Sequence, residues 1–428
     1  MGGIGKTEIA SAIYEKLATH FSSRSIIING QQEIERDGLD HVKRKYLSRL
    51  LDQQDIISSR LNFSFDPRLK RTKVFLVFDD VKDSDQFNAL IGTRSNFGQG
   101  SRIIVTSRDK QVLKNSNVDE MYQVREMDFQ DSLKLFCLNA FKQKEPIETY
   151  VSLTKEVLNY AKGVPLALKV LGLFLQGRTK EVWESELQKL KKIPNPKIFS
   201  MLKLSFDGLD DEQKDIFLDI ACLCIGRFEK RIIHTLDCYG YSTRIGMDVL
   251  QDMCLIFIFE GRVWMHDLIQ KMGHEIVRQQ CVNNPEKRSR LWKSDDVYDV
   301  LKKDKGQGTD AIQSILLDVC HVKKVQLHAE TFKKMYNLRM IEFYNSCRVQ
   351  DDSNVTFHTF LNSLPNNLKF LRWDCFPQRS LPQEFCPDNL VTLDMHLSDL
   401  EQLWEKDKVF CLKLYIVYLC TFGNIIRF

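Results

Sequence analysis

Residues 73–81 read KVFLVFDDV, an unbroken apolar run that ends in two acids. A strand wetted on one face alternates apolar and polar residues. A run apolar at every position belongs to a strand covered on both faces, as in a parallel sheet flanked by helices. Ligands of open α/β sheets sit at the carboxyl ends of such strands. Asp79 therefore falls where a carboxylate associated with Mg²⁺ is needed, and Asp80 where a water is polarised as the catalytic step of hydrolysis. Acids capping a following helix are the plainer reading of the same pair.

The N-terminal residues MGGIGKTEIA meet the end of the phosphate-loop pattern G-x-x-x-x-G-K-[ST]. Gly2, Gly3, Ile4 and Gly5 supply a loop whose backbone N–H groups face phosphates. Lys6 neutralises the phosphates, and the Thr7 hydroxyl binds Mg²⁺. The first glycine of the pattern and the strand leading into it would stand before Met1. A chance glycine cluster is the alternative. Ile9, Ile13, Leu17 and Phe21 recur every four residues and predict a helix with an apolar stripe against a sheet.

A further apolar strand, GSRIIVTSRDK at 100–110, ends in Thr106, Ser107 and Arg108. An arginine at that edge reaches a γ-phosphate, or is a solvated loop residue. RSIII, around Ile26, predicts another strand. Strands alternating with helices predict a doubly wound parallel sheet.

With 428 residues the chain is long enough for two to four domains. A net charge of +4 gives no electrostatic reason to expect nucleic acid or an anionic membrane as the main partner. The twelve cysteines contain no C-x-x-C pair and read as reduced thiols of a cytosolic or nuclear protein, with Cys222 and Cys224 filling a core. The longest apolar run, VFCLKLYIVYLCTFG from Val409, carries Lys413 and is too short for a bilayer, so it predicts a buried strand or a frayed end.

GGIGKT, KVFLVFDDV, GSRIIVTSRD, GVPLALKVLG, FLDIACL and MHDL follow one another in this chain. Their order and spacing resemble the NB-ARC module of plant intracellular immune receptors, the NBS-LRR disease resistance proteins. Lys82 after DDV and the wording FLDIACL resemble the subclass that carries an N-terminal TIR domain. The resemblance covers roughly residues 1–405. It implies binding of ADP or ATP with Mg²⁺ through Gly2–Thr7, with Asp79 and Thr7 at the metal. Asp80 would be a weak hydrolytic base and Arg108 a γ-phosphate sensor. Pro165 would lie near the adenine, His266 would contact the β-phosphate of ADP, and Asp267 would support that histidine. Read without the family, His266 is a core or capping residue. Glu8 departs from the family, which commonly has a second threonine there. A carboxylate suits an empty helix N-terminus but repels a bound phosphate.

The chain divides into a nucleotide-binding domain lacking its first strand (1–125), a helical subdomain (126–196) broken by Gly163 and Pro165, and a winged-helix subdomain (197–280). In the last, LIFIFEGRVWMHDL predicts a hairpin around Glu260 and Gly261. A connector with a short helix follows (281–308), then partial leucine-rich repeats (309–406) and an atypical tail (407–428). The repeat signal is L-x-x-L-x-L at Ile312/Ile315/Leu317, Leu338/Ile341/Phe343, Leu368/Leu371/Trp373 and Leu390/Leu393/Met395, with steps of 26, 30 and 22 residues. A further step of 22 predicts Leu412/Tyr415/Val417.

The fold expected is thus α/β plus α: a P-loop NTPase sheet, a helical subdomain, a winged helix and a partial solenoid. The function implied by the resemblance is an ADP/ATP switch in defence signalling, with hydrolysis at most a slow reset. Its partners would be a pathogen effector or a guarded host protein, and further copies joined through a signalling domain upstream. Its place would be the cytoplasm or nucleus. A winged-helix transcription regulator using RFEKRIIHTL (227–236), and an interaction fragment that no longer switches, are the rival readings.

Overall fold

The computed structural model describes residues 1–52, 67–302, 309–319, 325–346, 355–357, 361, 363–403 and 416–418. They belong to two compact units, Met1–Leu209 with Val249–Leu255, and Asp210–Asp248 with Ile256–Phe428.

In the first unit, α1 (Lys6–Leu17), β1 (Ser23–Ile27), α2 (Gly30–Asp37), α3 (Leu39–Leu51), β2 (Val74–Phe78), α4 (Ser84–Ile91), β3 (Arg102–Val105) and α5 (Lys110–Asn115) alternate along the chain. The strands form a parallel sheet in the order β1–β2–β3. β2 is buried at every position, as its sequence requires. Val74, Leu76 and Phe78 pack with Val42 and Tyr46 of α3 and Phe87 of α4. Phe75 and Val77 face the other way, onto Ala10, Ile13 and Tyr14 of α1. Period two thus feeds two separate cores from one strand.

The stripe expected on α1 is rotated. Ile9 and Leu17 are exposed at 40% and 39%, while Ala10, Ile13, Tyr14, Ala18 and Phe21 meet the sheet. Three four-residue steps carry Phe21 about 120° around the helix from Ile9, so Ile9 leaves the buried face; Leu17 is the last residue of α1. Positions 10, 13, 14 and 21 follow the helical period better.

α6 (Phe129–Ala140), α7 (Val151–Ala161), α8 (Pro165–Leu175), α9 (Lys180–Lys192) and α10 (Pro196–Asp207) complete this unit. Gly163 ends α7 at φ +78, and a Cβ there would lie 2.5 Å from the Met127 carbonyl oxygen, so only glycine fits. Pro165 then opens α8 at its first turn, where no N–H is missed.

The second unit begins with α11 (Asp211–Asp219), whose Asp210 and Gln213 form a capping box. It runs into a π-helical turn at Ile220–Cys224, then α12 (Glu229–Asp237). α13 (Thr243–Asp252) crosses the boundary between the units. β4 (Phe257–Phe259) and β5 (Arg262–Trp264) pair antiparallel around Glu260 (φ 50) and Gly261 (φ 71), the hairpin expected there. α14 (Asp267–Gln280) follows.

β6 (Arg290–Leu291) and α15 (Ser294–Leu301) occupy the expected connector, and β6 joins the next sheet rather than linking loosely to it. That parallel sheet contains β7 (Ser314–Asp318), β9 (Met340–Tyr344), β11 (Phe370–Trp373), β12 (Thr392–Asp394) and β13 (Ile416–Tyr418), in the order β13–β12–β11–β9–β7–β6. A short pair, β8 (Val325–Leu327) with β10 (Val355–Phe357), lies apart from it.

Ile315, Ile341, Leu371 and Leu393 stand in register and are all buried, so the expected repeat positions form one row. The last step differs. Val417 pairs with Leu393, whereas a step of 22 would set it beside Met395. The strand enters two residues later than expected. Leu412 and Tyr415 lie outside the described residues.

Candidate functional site

Gly3 and Gly5 take φ values of +74 and +96 ahead of α1, and the Gly5 carbonyl accepts the first helical bond, from Ile9 N–H at 3.0 Å. The loop is backed by α8. The Leu166 N–H donates to the Gly3 carbonyl at 3.1 Å, a Cβ on Gly3 would lie 2.8 Å from Leu166, and one on Gly5 would lie 3.9 Å from Pro165. Pro165 is thereby next to the loop.

At the carboxyl end of β2, Asp79 is 1% exposed and its carboxylate is heavily held. The Thr7 hydroxyl lies 3.0 Å from both oxygens. The Thr106 hydroxyl donates to Oδ1 at 2.6 Å, and the Asn29 N–H reaches Oδ2 at 3.4 Å. Thr106 also accepts from the Asp80 N–H at 3.0 Å. One hydroxyl at the end of β3 therefore fixes both acids at the end of β2. The sequence placed Thr106 at a strand end without giving it this part.

Asp80 holds a left-handed conformation, φ 59, and Arg108 Nε lies 3.4 Å from its Oδ1. Strain of that kind at a strand end gathers at ligand sites. Arg108 also donates to the Met201 carbonyl at 3.4 Å. Lys6 Nζ donates to the Met1 carbonyl at 2.8 Å. Burial, and then the Arg108 charge, lower its pKa from the ordinary lysine value. A half-buried ammonium beside a second cation is a place for an anion. Glu8 is exposed in the first turn of α1.

The donor set fits a nucleoside diphosphate with Mg²⁺: a positive-φ glycine loop at a helix N-terminus, a half-buried lysine, and a hydroxyl on a buried carboxylate. Gly2, Gly3, Ile4, Gly5, Lys6, Thr7, Asp79, Asp80, Arg108 and Pro165 all belong to the first unit. His266 belongs to the second, where its Nδ1 accepts the Leu268 N–H at 3.1 Å and caps α14. Asp267 is the first residue of that helix.

The NB-ARC domain family model matches residues 1–146, and the winged-helix domain of Roq1-like disease resistance proteins matches residues 210–281. The chain carries an NB-ARC domain and a Roq1-like winged-helix domain. It is 37% identical over 432 residues to the disease resistance protein RPV1 of Vitis rotundifolia, covering 95% of this chain and 31% of that protein. The disease resistance protein RPP2B of Arabidopsis thaliana is 32% identical over 411 residues, covering 95% of this chain and 34% of that one. The chain thus spans about a third of the length of the curated relatives it matches. Among solved structures, the Walker-type ATPase PABY2304 of Pyrococcus abyssi aligns over 64% of this chain and 88% of that one, with 14% identity and a TM-score of 0.42.

The winged helix bears on the transcription-regulator reading. Arg227 and Arg231, two of the three basic residues of that segment, approach carboxylates of the parallel sheet, at 2.7 Å (Glu342) and 3.8 Å (Asp394), while Lys230 is exposed. Cys222 and Cys224 are buried free thiols, and burial pushes the Cys224 thiol up to about 12, so they fill the core as expected. Among the described residues no helix is long and apolar enough to cross a membrane.

Proposed function

We propose that this chain is the nucleotide-operated switch portion of a plant intracellular immune receptor, held closed by ADP and opened by exchange for ATP. The observation that carries the reading is the convergence of Thr7, Asp79, Asp80, Thr106 and Arg108 beside the glycine loop. Gly2, Gly3, Ile4 and Gly5 would present backbone N–H groups to the phosphates, and Lys6 would supply the charge. Thr7 and Asp79 would hold Mg²⁺, which neutralises phosphate charge when bound. Pro165 would border the base.

Arg108 already contacts Asp80, so an added γ-phosphate would compete for it. It is the residue proposed to distinguish ATP from ADP. His266 is proposed for the opposite duty, favouring the ADP state, with Asp267 as its support. A ligand shifts a two-state protein only through different affinity for the two states, so a switch needs both discriminators. Asp80 would polarise water for a slow hydrolysis that resets the switch.

The spans proposed are 1–125 for the nucleotide domain, 126–196 for the helical subdomain, 197–280 for the winged helix, 281–308 for the connector, 309–406 for leucine-rich repeats and 407–428 for the tail. The repeats would face an effector or a guarded host protein, in the cytoplasm or nucleus. Oligomers would assemble through a signalling domain of the whole receptor.

The test is Asp267→Val in the full-length receptor. Basal defence signalling should rise as the ADP-held state weakens. Unchanged signalling at normal protein level would refute the role of the histidine and its neighbour.

A further inference from the structure

Strand β4 reads Phe257–Ile258–Phe259, apolar at every position, which is the pattern of a strand covered on both faces. Only one face is covered. Val263 of β5 is buried and Ile258 half-buried on the inner side, while Phe257, Phe259 and Trp264 stand outward at 52%, 62% and 37% exposure. The register sets Phe257 opposite Trp264 and Phe259 opposite Arg262 on that outer face. Phe228, 52% exposed, extends the face through its bridge to Arg262, whose guanidinium lies over the Phe228 ring at 4.0 Å.

The face is preformed. The Gly226 N–H donates to the Val263 carbonyl at 2.8 Å and the Val263 N–H to the Arg227 carbonyl at 2.9 Å, which ties the segment before α12 to the hairpin. Trp264 lies across Gly226, where a Cβ would come within 3.3 Å of the indole. Four rings exposed to this extent leave roughly 300–500 Å² of aromatic surface. That is the size of patch that marks an interaction site on a soluble protein. The register itself says what fits. A two-fold axis along the hairpin sets β4 of one copy over β5 of another. Phe257 then meets Trp264 of the second copy, and Phe259 meets Arg262 of the second copy, each contact made twice. Phe228 takes one face of the Arg262 guanidinium, and Phe259 of the second copy would take the other. The charges agree: Glu260 and Arg262, both exposed at the tip, give a rim of both signs that suits a copy of itself better than a partner of one charge.

We propose that the outer face of this hairpin joins two copies of the chain face to face. Its residues all belong to the second unit, so it stands apart from the glycine-loop site and from assembly through an upstream signalling domain. The patch is smaller than the roughly 800 Å² per partner of a standard interface, so the pair is weak and depends on concentration.

The test is sedimentation velocity of the full chain from about 1 to 100 µM, the range of a weak pair. The mean mass should rise with concentration toward that of a dimer, and hydrogen exchange at residues 257–264 should slow as it does. Phe259→Lys sets a cation opposite Arg262 of the second copy and should weaken the association about tenfold or more, since each loss counts twice. Phe259→Glu is as polar but sets a carboxylate there, and should stay within about threefold of the parent. Phe259 is mostly exposed, so both variants should melt as the parent does. Tyr336→Ser, at an aromatic residue 63% exposed elsewhere on the unit, should leave the association unchanged. A chain that stays monomeric at about 100 µM would overturn the proposal and leave the face to a different protein. Equal loss in the lysine and glutamate variants, or an association that Phe259→Lys weakens no more than Tyr336→Ser does, would also overturn it.

Discussion

Thr106→Val removes one hydroxyl and keeps the shape of the side chain. In the parent, that hydroxyl gives a bond of 2.6 Å to the Asp79 carboxylate and accepts one of 3.0 Å from the Asp80 N–H. Asp79 and Thr106 are both buried, so water does not replace what is lost. A bond to a charged group contributes about 1.5–3 kcal/mol and a neutral one about 1, giving a cost of roughly 2–4 kcal/mol. For a unit of roughly 200 residues this lowers the apparent Tm by roughly 5–15 °C. ADP affinity measured with and without Mg²⁺ should show the larger loss with Mg²⁺, because Asp79 has lost a partner that fixes it. Thr106→Ser keeps the hydroxyl and should stay within about 1 kcal/mol of the parent, the worth of one methyl. A Thr106→Val protein that melts within 1–2 °C of the parent (roughly the span of 1 kcal/mol or less) and binds ADP identically would refute the reasoning.

Three further outcomes are expected. Glu8→Thr takes a negative charge from the first turn of α1 and should tighten ADP binding by roughly two- to fivefold in equilibrium titration. Asp219→Ala takes from Arg290, which is 1% exposed, one of its two carboxylate partners at 2.8 Å, leaving Asp215, and takes from Arg339 a bond of 3.1 Å, and should cost about 3–5 kcal/mol in chemical denaturation. The pair Asp219→Leu with Arg290→Met should recover most of that loss. His274, stacked on Trp292 and bonded to the Ala221 carbonyl, has its pKa lowered to about 4, chiefly by burial. Below pH 6.5 the unfolded chain takes up a proton that the folded chain refuses until about pH 4. Stability should therefore fall by about 3 kcal/mol as pH drops from 6.5 to 4. His274→Phe should flatten that slope in pH-dependent melting.

Strand β2 and its acids were legible because burial on both faces leaves a distinctive composition, and the hairpin at Glu260 and Gly261 because its turn residues must take positive φ. The sheet rows at Ile315, Ile341, Leu371 and Leu393 were legible despite uneven steps, since the loops absorb length while the strand positions repeat. What escaped were contacts between distant segments. Thr106 meets Asp79 across 27 positions, and Leu166 meets Gly3 across 163. No local pattern encodes such pairs. On α1, Ile13 and Phe21 face the sheet as expected while Ile9 does not, because a four-residue row drifts around a helix of 3.6 residues per turn. Arg227 and Arg372 escaped for a related reason: they converge on Glu342 only through the fold, and each alone reads as a surface residue.

The central claim is that the glycine loop and the strand-end acids hold a nucleotide. Titration of ADP with Mg²⁺ into the chain and into Lys6→Ala tests it most directly. One ADP site is expected in the parent, weakened at least tenfold when the Lys6 charge is removed, roughly the energy of a single charge-assisted contact. Equal affinity in the two proteins, or no ADP binding by the parent, would contradict it.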